Sequence, residues 1–177
     1  MTGTRRRKGV QRAAGALRQL AMQDRLTRPD RSRRYQFLKR TFGPDRDMLF
    51  FGGLFAAQAY QEALACYIDA CFVACVVLCQ IVLEHTLAGV FKVSGREDLD
   101  GAGFFRLLRE AEAAGMLRSD EVQAFNEMRQ LRNQYIHAGD GGMDWLLKRR
   151  SKHPTVFDAL EEDATLMLKA LRRIRVG

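Results

Sequence analysis

Between Cys71 and Leu83 the chain has thirteen residues with one polar side chain, Gln80, and no charge. A run this apolar must be removed from water, either inside a protein core or in lipid. A membrane-spanning helix needs about 20 apolar residues. Here Glu84-His85 stop the run and Asp69 stands just upstream. A charge near the bilayer centre costs about 2.5–3.5 kcal/mol on insertion scales. The run is therefore expected to be the central, all-round buried helix of a helical bundle. It belongs to a longer stretch, Leu54 to Lys92, that reads as one long helix or two contiguous ones, opening with Ala56, Tyr60, Ala63 and Tyr67 at helical spacing.

The flanking sequence supports an all-α fold. Only three prolines occur, against abundant Ala, Leu, Arg and Glu. After a polar connection (94–103), a helix from Phe104 to Ala114 carries Phe105, Leu107, Leu108 and Ala111 as its apolar set and ends at Gly115. Ser119 is a candidate N-cap, with Asp120 and Glu121 in the first turn, where carboxylates complement the helix dipole. That helix is expected to reach His137 and stop at Gly139. A loop with Trp145, Arg149 and Arg150 comes next. Thr155, with Asp158 three residues later, opens a last helix to about Arg175, its buried stripe formed by Phe157, Leu160, Ala164, Met167, Leu168 and Leu171. The expected architecture is a four-helix bundle over residues 51–177, preceded by a basic, partly helical and loosely docked arm over residues 1–50. Within the arm, Val10, Ala13, Ala14, Leu17, Leu20 and Ala21 fall at helical spacing, while Pro29 and Gly43-Pro44 punctuate its second half.

Charge is concentrated in that arm. Residues 1–46 hold fourteen Lys/Arg and three Asp, a net +11, leaving −3 for the remainder of a chain whose total is +8. A basic arm on a near-neutral body suits a polyanion, most often nucleic acid and less often an anionic membrane surface. Arg5, Arg6, Arg7, Lys8, Arg12, Arg33 and Arg34 are the expected nucleic-acid contacts, and a membrane partner is not expected. The N-terminus has no apolar segment followed by a small-residue cleavage site, so a cytoplasmic protein with reduced thiols is expected. Cys71, Cys75 and Cys79 are four residues apart and form one helical stripe, with Cys66 upstream. No other His or Cys pair has zinc-site spacing, so these thiols read as small core residues and no metal is expected.

The segment Arg129-Gln-Leu-Arg-Asn-Gln-Tyr-Ile-His-Ala-Gly139 holds the densest chemistry. Arginine holds anionic phosphate and histidine moves a proton near neutral pH. At about 100° per residue, Arg129, Arg132, Asn133 and His137 occupy an arc of about 140°, with Ala124, Met128, Leu131 and Tyr135 gathered opposite. The polar group is thus expected on a face separate from the buried one, with Asn133 and His137 stacked at i, i+4. Glu84 is expected to be buried by pattern, and a buried carboxylate needs a partner; Arg132 is a candidate.

Arg132-Asn133-Gln134-Tyr135-Ile136-His137 resembles the Arg-Asn-x-x-x-His motif of the HEPN superfamily. Gly115-Met116-Leu117 followed by Ser119-Asp120-Glu121, about a dozen residues before the motif, is similar to that family's third helix. Ala63–Phe91, with Leu83-Glu84 and Leu87, is similar to its long second helix. The resemblance covers about residues 55–175. It implies a helical bundle, usually dimeric, in which many members are metal-independent endoribonucleases working without a cofactor. By that resemblance His137 would be the general acid/base on the 2′-hydroxyl or the leaving oxygen. Arg132 would stabilise the phosphoryl charge, and Asn133 would orient His137 or contact phosphate. Arg129 and Glu84 would support them. Paired motifs from two subunits would share one cleft, the substrate would be RNA, and the product a cyclic phosphate. Family members include toxins, antiphage defence nucleases and RNA-processing factors, so a homodimer and a cognate antitoxin or defence-system partner are implied. Gly139 stands where some toxin members carry tyrosine, which points away from that branch. The superfamily also includes non-catalytic members, which implies a nucleic-acid- or protein-binding module as the alternative.

Overall fold

A computed structural model describes residues 3–43, 52–136 and 151–173, with the helical backbone alone for residues 3–14. Its elements are helices α1 (Gly3–Phe42), α2 (Gly53–Ile68), α3 (Phe72–Val93), a 3₁₀ turn at Glu97–Leu99, α4 (Phe104–Ala113), α5 (Ser119–Ile136) and α6 (Val156–Leu171). The protein is an all-α bundle, and no strand occurs among the described residues.

The apolar stretch 54–92 resolves into two helices that pack closely along their length. They run antiparallel, since Phe55 at the start of α2 stacks 4.8 Å from His85 late in α3. The break is a Schellman motif: the Cys71 N–H donates to Cys66 C=O (2.8 Å) and the Ala70 N–H to Tyr67 C=O (3.2 Å). Ala70 takes the left-handed position, with φ of 63°.

α3 is central, packing against α2, the 3₁₀ turn, α4, α5 and α6. It is not buried all round, as its sequence suggested. Phe72, Cys75, Val76, Cys79, Val82, Leu83, Leu87 and Phe91 face the core, but Val73 is 40% exposed and Ala74 is also outside. Of the cysteine stripe, Cys75 and Cys79 are core residues, whereas Cys71 is exposed at the N-cap of α3. Hydrogen bonding to Cys79, with burial second, raises the Cys75 thiol well above its ordinary range.

Three other expectations change. In α4 the buried aromatic is Phe104, while Phe105 is 51% exposed. Ser119 is the first residue of α5, and the Glu121 carboxylate accepts the Arg118 N–H there (2.9 Å). Phe157 is 49% exposed, although its ring meets Phe72 edge-on at 5.0 Å. The capping box of α6 forms as its sequence requires, with the Asp158 N–H donating to Thr155 Oγ1 (3.1 Å) and the Thr155 N–H to Asp158 Oδ2 (3.0 Å).

The largest departure is α1. Rather than a partly helical, loosely docked arm ending at residue 50, it is one helix that passes through Pro29 and joins the core at its end. Leu38 is fully buried and Phe42 nearly so. Phe42 meets Tyr60 edge-on at 5.7 Å, and Phe37 lies 5.4 Å from Tyr67. The bundle therefore begins upstream of residue 51.

Candidate functional site

Helix α5 owes its placement to two contacts with quite different chemistry. Phe125 (0% exposed) and Met128 (5%) insert into the core. In its last turn, Tyr135 Oη donates to Asp163 Oδ2 of α6 at 2.5 Å. Asp163 is 1% exposed, and charge-assisted hydrogen bonds of this kind are among the stronger ones. The pair fixes the turn that carries the Arg-Asn motif. Neither residue was singled out for it from sequence, although an aspartate among the apolar positions 160, 164, 167 and 171 is the signal that marks it.

The buried line of α5 runs through positions 125, 128 and 132, spaced three and four apart. Arg132 therefore extends the core-facing line and does not stand on a separate polar face. It is half-buried, and its Nη1 donates to Asn133 Oδ1 at 3.1 Å. Its Nε is buried with no hydrogen-bond partner. Arg129, a turn earlier, donates from Nε to Asn126 Oδ1 (3.0 Å) and lies over the Phe105 ring at 5.4 Å. The exposed Phe105 thus serves as a platform for Arg129. Glu84 is half-buried on α3. The Glu84–Arg132 ion pair suggested by sequence does not form, and no carboxylate pairs with Arg132 among the described residues. His137, the third member of the motif, and the Trp145, Arg149 and Arg150 segment lie outside the described residues.

On another side of α5 a groove of about 370 Å³ opens toward α6, lined by Met128, Leu131, Asp163, Leu166, Met167 and Ala170 among others. Arg129, Arg132 and Asn133 do not line it. Leu131 and Ala124 border this groove and are half-buried, as the apolar side of α5 was expected to be.

The basic candidates on α1 divide. Arg5, Arg6, Arg7, Lys8 and Arg12 belong to the described helical backbone. Arg34 is 4% exposed and built into the fold: Nε donates to Ile68 C=O (2.9 Å), Nη1 is 3.8 Å from Glu161, and the guanidinium lies 5.6 Å over Phe72. Its expected role as a nucleic-acid contact is thereby corrected. Arg33 is more than half exposed but pairs with Glu161 at 2.7 Å. That hydrogen bond raises its already high pKa.

The fold and its sites define an all-α bundle with a guanidinium–amide pair on the last turns of a core helix. Comparison with protein-family models, curated proteins and solved structures finds no match to this chain.

Proposed function

We propose that the chain is a HEPN-type, metal-independent endoribonuclease acting through Arg132, Asn133 and His137. One observation carries this reading: Arg132 is a half-buried cation with no carboxylate partner among the described residues and a buried, unbonded Nε. A structural arginine in such a place normally neutralises an acid, because leaving a buried charged donor unsatisfied costs at least about 1–3 kcal/mol. A phosphodiester oxygen supplies the missing acceptor and charge. The Asn133 amide holds the guanidinium from one side, so its planar fork is pre-organised for phosphate. In the proposed reaction His137 withdraws the 2′-hydroxyl proton and that oxygen attacks phosphorus as the bond to the 5′-oxygen breaks, giving a 2′,3′-cyclic phosphate; the imidazolium formed on His137 returns its proton to the departing 5′-oxygen. Arg132 stabilises the charge that develops on the phosphoryl oxygens. The proposed active form is a homodimer with both motifs at one cleft, and a cognate partner protein would restrain it.

The test is RNA cleavage in EDTA. Wild-type protein is expected to yield cyclic-phosphate ends, and Arg132→Ala and His137→Ala, checked for folding by circular dichroism, are expected to lose about 10²–10⁴-fold in rate. Equal cleavage by the variants, or none by the wild type, removes the enzyme and leaves the non-catalytic binding module.

A further inference from the structure

The protruding part of α1 is the feature that the bundle and the nuclease reading leave unexplained. Every residue from 15 to 30 is exposed except Asp24, which is half-buried, and Arg31 pairs with Asp69 of the bundle at 2.9 Å. On this free length Leu17 is 67% exposed and Leu20 61%. In helical register at about 100° per residue, positions 10, 13, 14, 17, 20 and 21, all apolar, fall within an arc of about 120°. Gln11, Arg12 and Gln19 lie on the other side of that register, and Arg18 flanks the arc. No acid precedes Asp24, whereas residues 1–23 hold six Lys/Arg. Leu20, at one edge of the arc, and Leu26, off it, both border a notch beside Ala70 and Phe157; Met22 also lies off the arc.

We propose that this segment binds an anionic phospholipid surface, lying in the interface with Leu17, Leu20 and Ala21 toward the acyl chains and its arginines on lipid phosphates. A helix with one apolar arc and a cation-rich remainder is the form that lies in a bilayer interface. Apolar contact and polybasic attraction together give an attachment that neither gives alone. A purely electrostatic grip on RNA accounts for the arginines but not for the exposed leucines. It also lacks stacking groups, since residues 1–34 contain no aromatic side chain. This proposal departs from the expectation that the arm meets nucleic acid and no membrane.

The experiment is co-sedimentation of the full chain with phosphatidylcholine vesicles, with and without phosphatidylserine, at physiological salt. Binding is expected only with phosphatidylserine. Leu17→Ser/Leu20→Ser, at two exposed positions, is expected to weaken it at least about tenfold. A chain beginning at residue 24 is expected to lose it, with both variants retaining the wild-type helical spectrum. No sedimentation with anionic vesicles, equal sedimentation with neutral ones, or an undiminished double variant overturns the proposal. Arm-dependent binding of a mixed RNA that is insensitive to the serine substitutions also overturns it and makes the arm an RNA grip. Because the RNA-cleavage assay uses no vesicles and changes other residues, the two readings fail independently.

Discussion

Neighbouring arginines on α1 show how little a residue's type says about its task. Arg33 and Arg34 both reach Glu161, yet Arg33 does so from an exposed position and Arg34 from within the bundle. Surface ion pairs contribute about 0–1 kcal/mol, so Arg33→Ala is expected to lower stability by less than 1 kcal/mol. Arg34 also bonds the last carbonyl of α2 and covers Phe72. Its loss removes a charge-assisted hydrogen bond, worth about 1.5–3 kcal/mol, together with packing. Arg34→Ala is therefore expected to cost roughly 3 kcal/mol, read as a shift in the urea midpoint at unchanged slope. Equal effects of the two substitutions would mean that the two side chains do the same work. In the sequence both were counted as cations of a basic arm, because burial of Arg34 depends on residues 34 and 127 positions away. The same holds for Arg132. Its spacing from Asn133 and His137 was legible, but its place on the line of Phe125 and Met128 is set by where α3 and α6 lie.

Helix ends were legible where glycine marks them and illegible where it does not. α3 and α4 end in Schellman motifs with glycine in the left-handed position, at Gly95 (φ 76°) and Gly115 (φ 69°). From sequence the first falls at Lys92, one residue short of Val93, and the second at Gly115. α2 ends in the same motif, but Asp69-Ala70-Cys71 has no glycine or proline, and the break could not be placed. A left-handed conformation costs a non-glycine residue roughly 1–2 kcal/mol, offset in part by the extra freedom glycine gives the unfolded chain. Ala70→Gly is thus expected to stabilise the protein by about 0.5–1 kcal/mol, raising Tm by about 1–3 °C. A lower Tm would show that the methyl group contributes packing that outweighs the strain. The capping box of α6 illustrates the favourable case, since its two hydrogen bonds join residues three apart and need no tertiary partner.

For the whole molecule, the issue is where the folding unit begins. Composition changes near residue 46, and that change suggested a bundle starting at residue 51. The core, however, recruits Leu38 and Phe42 from α1, with Arg34 and Thr41 also buried. Charge density and burial follow different rules: the first depends on local composition, whereas the second follows from the α1–α2 packing, in which Phe42 lies on Tyr60 and Phe37 near Tyr67. Two truncations separate these boundaries. Removing residues 1–23 takes away no described side chain that is buried, residues 15–23 all being exposed, so the unfolding midpoint is expected to change by the equivalent of less than about 1 kcal/mol. Removing residues 1–50 uncovers Tyr60 and Tyr67 and deletes two large buried side chains, each worth about 1.5–3 kcal/mol, along with the Arg34 contacts. The summed loss, about 5 kcal/mol or more, rivals the whole stability of a typical domain, about 5–15 kcal/mol. The shorter chain is expected to lose cooperative unfolding or to aggregate, as seen by circular dichroism in urea and by size-exclusion chromatography. If it instead unfolds cooperatively near the wild-type midpoint, the terminal turns of α1 are an accessory to the bundle, and the boundary suggested by composition is the physical one.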